Sequence, residues 1–126
     1  MNENILEYTL TALRGLLAQD SPSGFTDRAA QYAMDELQAM GYEPLRTRKG
    51  GVLCCLGGKD TENALLLSAH IDTLGAMVSQ VKGNGRLKLT NVGGFNANNA
   101  ETENVRVYSR DGRVTERLCA TIHISL

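Results

Sequence analysis

The sequence lacks an excess of charge of either sign. Its 13 lysine and arginine residues are balanced by 14 aspartate and glutamate residues, which leaves a formal net charge of −1. The two signs are interspersed, without the basic stripe typical of proteins that bind the phosphate backbone of DNA or RNA. We therefore expect no nucleic-acid partner.

Long apolar runs are also missing. The longest, residues 52–56 and 64–67, fall far short of the roughly 20 residues that a membrane-spanning helix needs. The first residues, Met-Asn-Glu-Asn, lack the basic head and apolar stretch of a secretory signal. These absences predict a cytoplasmic protein with no membrane partner.

Cysteine is scarce, and its placement does not suggest a disulfide framework. The three residues are Cys54, Cys55 and Cys119, an odd number with two of them adjacent. Neighbours on a strand point to opposite faces, so Cys54 and Cys55 would not bind one metal ion together. We expect reduced, partly buried thiols.

Two helical patterns open the chain. The first has a single apolar face, made by leucines spaced four, three and four residues apart: Leu6, Leu10, Leu13 and Leu17. Ser-Pro-Ser-Gly at residues 21–24 interrupts it. A second helix is predicted over residues 26–40, with Gly41 as its C-terminal cap.

Strand patterns follow the helices. Residues 42–48 contain Pro44 and predict an edge strand, whereas the apolar runs at 52–56 and 64–71 predict strands covered on both faces. The first part of the chain therefore predicts an α/β fold, with helices packed on a partial sheet.

After Gly75 the pattern changes to short strands separated by glycine-containing turns. Candidate strands cover residues 76–81, 86–91, 104–109, 113–118 and 120–125. In the last of these His123 alternates with isoleucines, which predicts a place on the polar face of a terminal strand. The change predicts an α/β region over residues 1–74 and a small all-β region over 75–126.

The candidate functional residues are His70 and Asp72, at the end of the 64–71 run. Residues two apart on a strand share a face, and the carboxyl ends of strands are where open α/β sheets bind ligands. An imidazole suits zinc, cobalt or manganese, and the carboxylate could bind metal or hold the ring. By itself the spacing is weak, because a histidine and a carboxylate that hydrogen-bond to loop backbone at a strand end show it more often than a metal site does.

The wider sequence resembles a known family. The Ser-Pro-Ser-Gly segment, then Leu-Ser-Ala-His-Ile-Asp-Thr-Leu-Gly-Ala-Met-Val at residues 67–78 and Asn-Val-Gly-Gly-Phe at 91–95, resembles the M42 metallo-aminopeptidases. Residues 96–105 look like one subgroup, among the glutamyl and deblocking aminopeptidases. The resemblance runs in order from about residue 5 to about residue 116.

The resemblance implies roles for both residues. His70 matches the family's first metal ligand, and Asp72 matches the catalytic carboxylate that orients the site. The family fold is an α/β catalytic domain with a small dimerisation-type β domain inserted after this motif. Two divalent metal ions activate a water that releases N-terminal residues from peptides, a glutamate acts as general base, and members form homo-oligomers.

The match is incomplete. The family's bridging aspartate, glutamate pair, further carboxylate and final histidine have no counterpart here, and residues 117–126 leave the family pattern. A frameshift or premature stop near residue 117 is one hypothesis, and a divergent terminus is another. Since one ligand does not hold a catalytic ion, we expect this chain alone to be inactive.

Two other functions remain open at this point. One is a non-catalytic module that self-associates or binds peptides. The other is a glycan hydrolase with paired carboxylates, which is the weakest because no second carboxylate can be placed opposite Asp72.

Overall fold

The computed structural model describes residues 3–60 and 62–119. In these residues, two α-helices precede three two-stranded antiparallel sheets, which gives a mixed α/β content. The chain divides into two compact units, Met1–Thr73 and Leu74–Leu126. None of the helices described is both long enough and apolar enough to cross a membrane.

The first unit begins with the two predicted helices, α1 (Glu3–Leu17) and α2 (Asp27–Ala39). The buried side of α2 is formed by Ala29 and Ala30, both 0% exposed, whose small side chains permit close packing. Gly41 ends this helix with a φ of +87°, a conformation that glycine adopts without steric cost. The predicted cap is therefore confirmed.

A short hairpin follows the helices. Strand β1 (Leu45–Arg46) pairs antiparallel with β2 (Val52–Leu53), and each strand has only two residues. The predicted strands at residues 42–48 and 52–56 are thus present but much shorter than expected.

The prediction of a buried strand over residues 64–71 is wrong. These residues form no strand, and Leu65, Leu66 and Leu67 are 84%, 77% and 78% exposed. A strand exists only when a neighbour accepts and donates its backbone hydrogen bonds. Among the described residues, that neighbour is missing for residues 64–71.

The described part of the second unit contains two hairpins, with a short 3₁₀-helix, Ala97–Ala100, between them. Strand β3 (Gly75–Val81) pairs with β4 (Leu87–Val92), and β5 (Asn104–Tyr108) pairs with β6 (Val114–Leu118). The first four predicted strands of this region are confirmed to within one residue at each end. The fifth candidate, residues 120–125 with His123, lies outside the described residues.

Backbone contacts extend the second hairpin beyond its last strand. The Thr102 amide donates to the Cys119 carbonyl oxygen (2.7 Å), and the Cys119 amide donates to that of Glu103 (2.9 Å). Cys119 is buried there, and burial raises the pKa of its thiol. All three cysteines are free thiols, as predicted, although Cys55 is exposed.

Candidate metal site

The Ser-Pro-Ser-Gly loop is joined to the segment around His70 by backbone contacts. Ser21, only 1% exposed, donates from Oγ to the carbonyl oxygen of Ile71 (2.9 Å). The Thr73 amide donates to the Ser21 carbonyl oxygen (2.8 Å), and Pro22 forms a parallel bridge with Thr73. This connection places the loop directly beside the predicted site residues.

The two predicted site residues contact each other. His70 Nδ1 lies 2.9 Å from Asp72 Oδ1 and 3.1 Å from the backbone oxygen of Asp72. Both neighbours of Nδ1 are acceptors, so a neutral ring satisfies them only with its hydrogen on Nδ1. The lone pair is then on Nε2, the nitrogen available to a metal ion.

Asp72 also has a second partner. Its Oδ2 accepts a hydrogen bond from the Ser23 hydroxyl. This bond, and after it the one from His70, lower the pKa of the Asp72 carboxyl below its ordinary value. The carboxylate is therefore ionised at neutral pH and can stabilise the ring orientation of His70.

An open cleft of about 510 Å³ adjoins this pair. Its walls are formed by the Ser-Pro-Ser-Gly loop, α2, the β1–β2 turn and the His70 segment, and include Ser23, Leu37, Lys49, His70 and Asp72. The His70 side chain is 85% exposed and that of Asp72 40%. The imidazole is therefore accessible from solvent on the side of the cleft.

The donor set fits one position of a metal site. Imidazole is a common ligand for zinc and related ions, and a histidine ligand ordinarily donates its other N–H to a carboxylate or carbonyl oxygen. The His70–Asp72 pair has this arrangement. Within residues 3–60 and 62–119 there is no group of three or more side chains that could hold a metal ion.

The sequence pattern predicted the pairing of His70 with Asp72 but indicated no role for Ser21 or Ser23. The pairing holds, although the residues lie in an irregular segment and not at the end of a strand. The serines appeared only in a chain break before a helix and in the motif that resembles the family. Their hydroxyls contact residues 50 and 49 positions further along, a relationship that no local pattern contains.

Comparison with known proteins identifies similar chains. The model of the family described as "M42 glutamyl aminopeptidase" matches residues 50–125. The expectation that the chain leaves the family pattern at residue 117 is therefore wrong for residues 117–125. "Putative aminopeptidase YhfE" of Bacillus subtilis (strain 168) is 37% identical over 106 residues, which are 84% of this chain and 31% of that protein. "Glutamyl aminopeptidase" of Lactococcus lactis subsp. cremoris (strain MG1363) is 27% identical over 103 residues, 80% of this chain and 29% of that protein. The chain thus spans less than a third of the length of these relatives.

Proposed function

This chain belongs to the M42 glutamyl aminopeptidase family, and from that premise we propose that it provides the first metal ligand of a metal-dependent aminopeptidase site. The observation that supports the proposal is the contact between His70 Nδ1 and Asp72 Oδ1 (2.9 Å), which leaves Nε2 available. Both residues lie inside the stretch that matches the family. The reaction would be hydrolytic release of N-terminal residues from peptides.

The two residues have different proposed roles. His70 would bind a divalent ion, zinc, cobalt or manganese, which is one of two ions in a complete family site. Asp72 would act as the catalytic carboxylate that orients His70 and, by accepting its Nδ1 hydrogen, makes Nε2 a better ligand. Such ions, when bound, polarise the scissile carbonyl group and lower the pKa of a bound water.

The chain by itself would not catalyse the reaction. Among the described residues, one imidazole and one outer carboxylate would leave most of an ion's coordination to water, so the ion would not be held in a reactive geometry. We place the other ligands in the part of the longer relatives that this chain does not match. Residues 1–74 would belong to the catalytic domain and 75–126 to the inserted β domain of a cytoplasmic homo-oligomer.

A metal titration tests the proposed ligand, since the chain contains only two histidines. Zinc binding would be followed by calorimetry for the unchanged chain, His70→Ala and the matched control His123→Ala. We expect His70→Ala to lower the affinity at least roughly tenfold and His123→Ala to leave it unchanged. Unaltered zinc binding by His70→Ala would contradict the proposal.

An activity assay tests the second part of the proposal. The chain would be supplied with zinc, cobalt or manganese and with short peptides whose N-termini are free or acetylated. We expect no release of N-terminal residues from either kind of peptide. Metal-dependent release from the free peptides alone, abolished by His70→Ala, would show that the chain is active without further ligands.

An alternative function is a non-catalytic module that self-associates or binds peptides. The observation that favours it is the exposed apolar stretch at Leu65, Leu66 and Leu67. Sedimentation velocity over a range of concentrations would compare the unchanged chain with Leu66→Lys and with Leu17→Lys, a matched change at a residue that is 63% exposed. Metal-free oligomers abolished only by Leu66→Lys would support the alternative, and a monomer at every concentration would exclude self-association.

A further inference from the structure

We propose that Ser23 is a positioning residue, which acts through Asp72 to hold His70 with its hydrogen on Nδ1 and its lone pair on Nε2. The Ser23 hydroxyl donates to Asp72 Oδ2, while Asp72 Oδ1 is the oxygen that contacts His70 Nδ1 at 2.9 Å. The three side chains therefore form a relay in which each contact uses a different atom of the carboxylate.

The second contact on the carboxylate is what gives Ser23 its influence. The terminal torsion of an aspartate is broad, so a carboxylate with one partner can rotate about it. With one oxygen on Ser23 and the other on His70, the plane of the Asp72 carboxylate is fixed. Oδ1 then remains directed at Nδ1.

Ser23 is itself held in place by its loop. The Phe25 amide donates to the Pro22 carbonyl oxygen (2.7 Å), which closes a tight turn around Ser23. Gly24 supplies the positive φ of this turn, +83°. On the other side, the buried Ser21 ties the loop to Ile71 (2.9 Å). The backbone on both sides of Ser23 is thus held by hydrogen bonds, which keeps its hydroxyl directed at Asp72.

The expected effect of Ser23 on metal binding rests on the proposed function of His70 as a metal ligand. Its expected effect on the tautomer of the His70 imidazole does not. An acceptor beside one ring nitrogen holds the hydrogen on that nitrogen and leaves the lone pair on the other. Without Ser23, Asp72 would hold Nδ1–H less firmly, and the form with hydrogen on Nε2 would become more populated. That form presents no lone pair on Nε2 to an ion.

Nitrogen-15 NMR of the imidazole rings tests this inference on the chain as it exists. Only His70 and His123 contribute signals, and His123→Gln assigns them. At a pH of about 8.5, where an ordinary histidine is neutral, the shifts of the two nitrogens report the ratio of tautomers. The variants are Ser23→Ala, Ser23→Thr, which retains a hydroxyl, and Ser79→Ala as a matched control. The Ser79 hydroxyl donates to the Lys88 carbonyl oxygen (3.1 Å) in the other unit.

We expect the Nδ1–H form of His70 to predominate in the unchanged chain, in Ser23→Thr and in Ser79→Ala. Ser23→Ala should lower its ratio to the Nε2–H form by roughly fivefold, the effect of losing about one hydrogen bond. An unchanged ratio in Ser23→Ala, or a predominant Nε2–H form in the unchanged chain, would overturn the inference. A decrease of the same size in the tautomer ratio of His70 in Ser79→Ala would also overturn the inference.

A zinc titration on the same samples separates the inference from the proposed function. If Ser23→Ala shifts the tautomers and also weakens zinc binding at His70, the positioning role of Ser23 and the ligand role of His70 are both supported. If the tautomers shift but zinc does not perturb the His70 signals of the unchanged chain, the positioning role of Ser23 stands and the proposed ligand role of His70 fails.

Discussion

The hydroxyl of Ser21 donates a hydrogen bond to the carbonyl oxygen of Ile71, 50 residues further along the chain (2.9 Å). Ser21 is nearly inaccessible to solvent, so water cannot replace this bond if it is lost. The contact gives Ser21 a structural role, which differs from the role that we propose for Ser23 in the same loop.

Replacing Ser21 with alanine should destabilise the first unit by about 1–2 kcal/mol, because a carbonyl oxygen loses its buried partner. Urea unfolding followed by tyrosine fluorescence would measure this, since the chain has four tyrosines and no tryptophan. Ser23→Ala is the matched control and should cost less, because its partner carboxylate is partly exposed. A larger loss in Ser23→Ala than in Ser21→Ala would contradict this assignment.

Replacing Asp72 with asparagine should weaken zinc binding at His70 by about 10- to 100-fold. Asparagine has nearly the same shape but no charge, so its oxygen is a weaker acceptor for the Nδ1 hydrogen. Calorimetry would compare it with Asp60→Asn, a matched change at an aspartate whose partners are the neighbouring Glu62 amide and Asn63. Equal zinc affinity in Asp72→Asn and the unchanged chain would refute the orienting role.

The turn between β5 and β6 should weaken in acid. The Ser109 hydroxyl and then the Arg113 contacts lower the pKa of Asp111, whose Oδ2 accepts from Arg113 Nε at 2.7 Å. A pKa that is lower in the folded state stabilises the fold above the ordinary value of 3.8, and this contribution disappears as pH falls through the lowered pKa.

Carbon-13 NMR of the aspartate carboxyl groups would follow this titration. Ser109→Ala should raise the pKa of Asp111 towards its ordinary value, because its largest stabilising contact is removed. Ser79→Ala, which removes a hydroxyl from the other hairpin of the same unit, should leave it unchanged. A pKa for Asp111 at or above the ordinary value in the unchanged chain would disprove the expected acid sensitivity.

Thr102 has a φ of +68°, an unfavourable conformation for a β-branched residue. Asparagine tolerates this region better, so Thr102→Asn should stabilise the second unit by about 1 kcal/mol. The backbone bond from its amide to Cys119 would be kept. Thr115→Asn, within β6, should be destabilising because asparagine is unfavourable in strands.

Hydrogen exchange of the strand amides in the second unit would measure both changes. Protection should increase in Thr102→Asn and decrease in Thr115→Asn. If Thr102→Asn lost protection, the positive φ would have to be stabilised by the threonine side chain itself.

The parts of the fold that could be predicted from sequence are those that depend on neighbouring residues. The leucine spacing of α1 and the glycine-containing turn between β5 and β6 are local patterns, and both the helix and the β5–β6 hairpin follow from them. The prediction of a buried strand over residues 64–71 was wrong because an apolar run is buried only if another element is present to cover it. For the same reason the site was predicted in part: His70 and Asp72 are two residues apart, whereas Ser23 reaches Asp72 from 49 residues away.

The parallel bridge between Pro22 and Thr73 has a consequence for the order in which this unit assembles. Helix α1 needs only contacts within its own turns, but the bridge requires the ends of a loop of about fifty residues to meet, at an entropic cost that grows with the logarithm of loop length. Contacts of such long range ordinarily form after local ones. The surroundings of His70 are therefore expected to form last in this unit, when the chain on both sides has already lost most of its freedom.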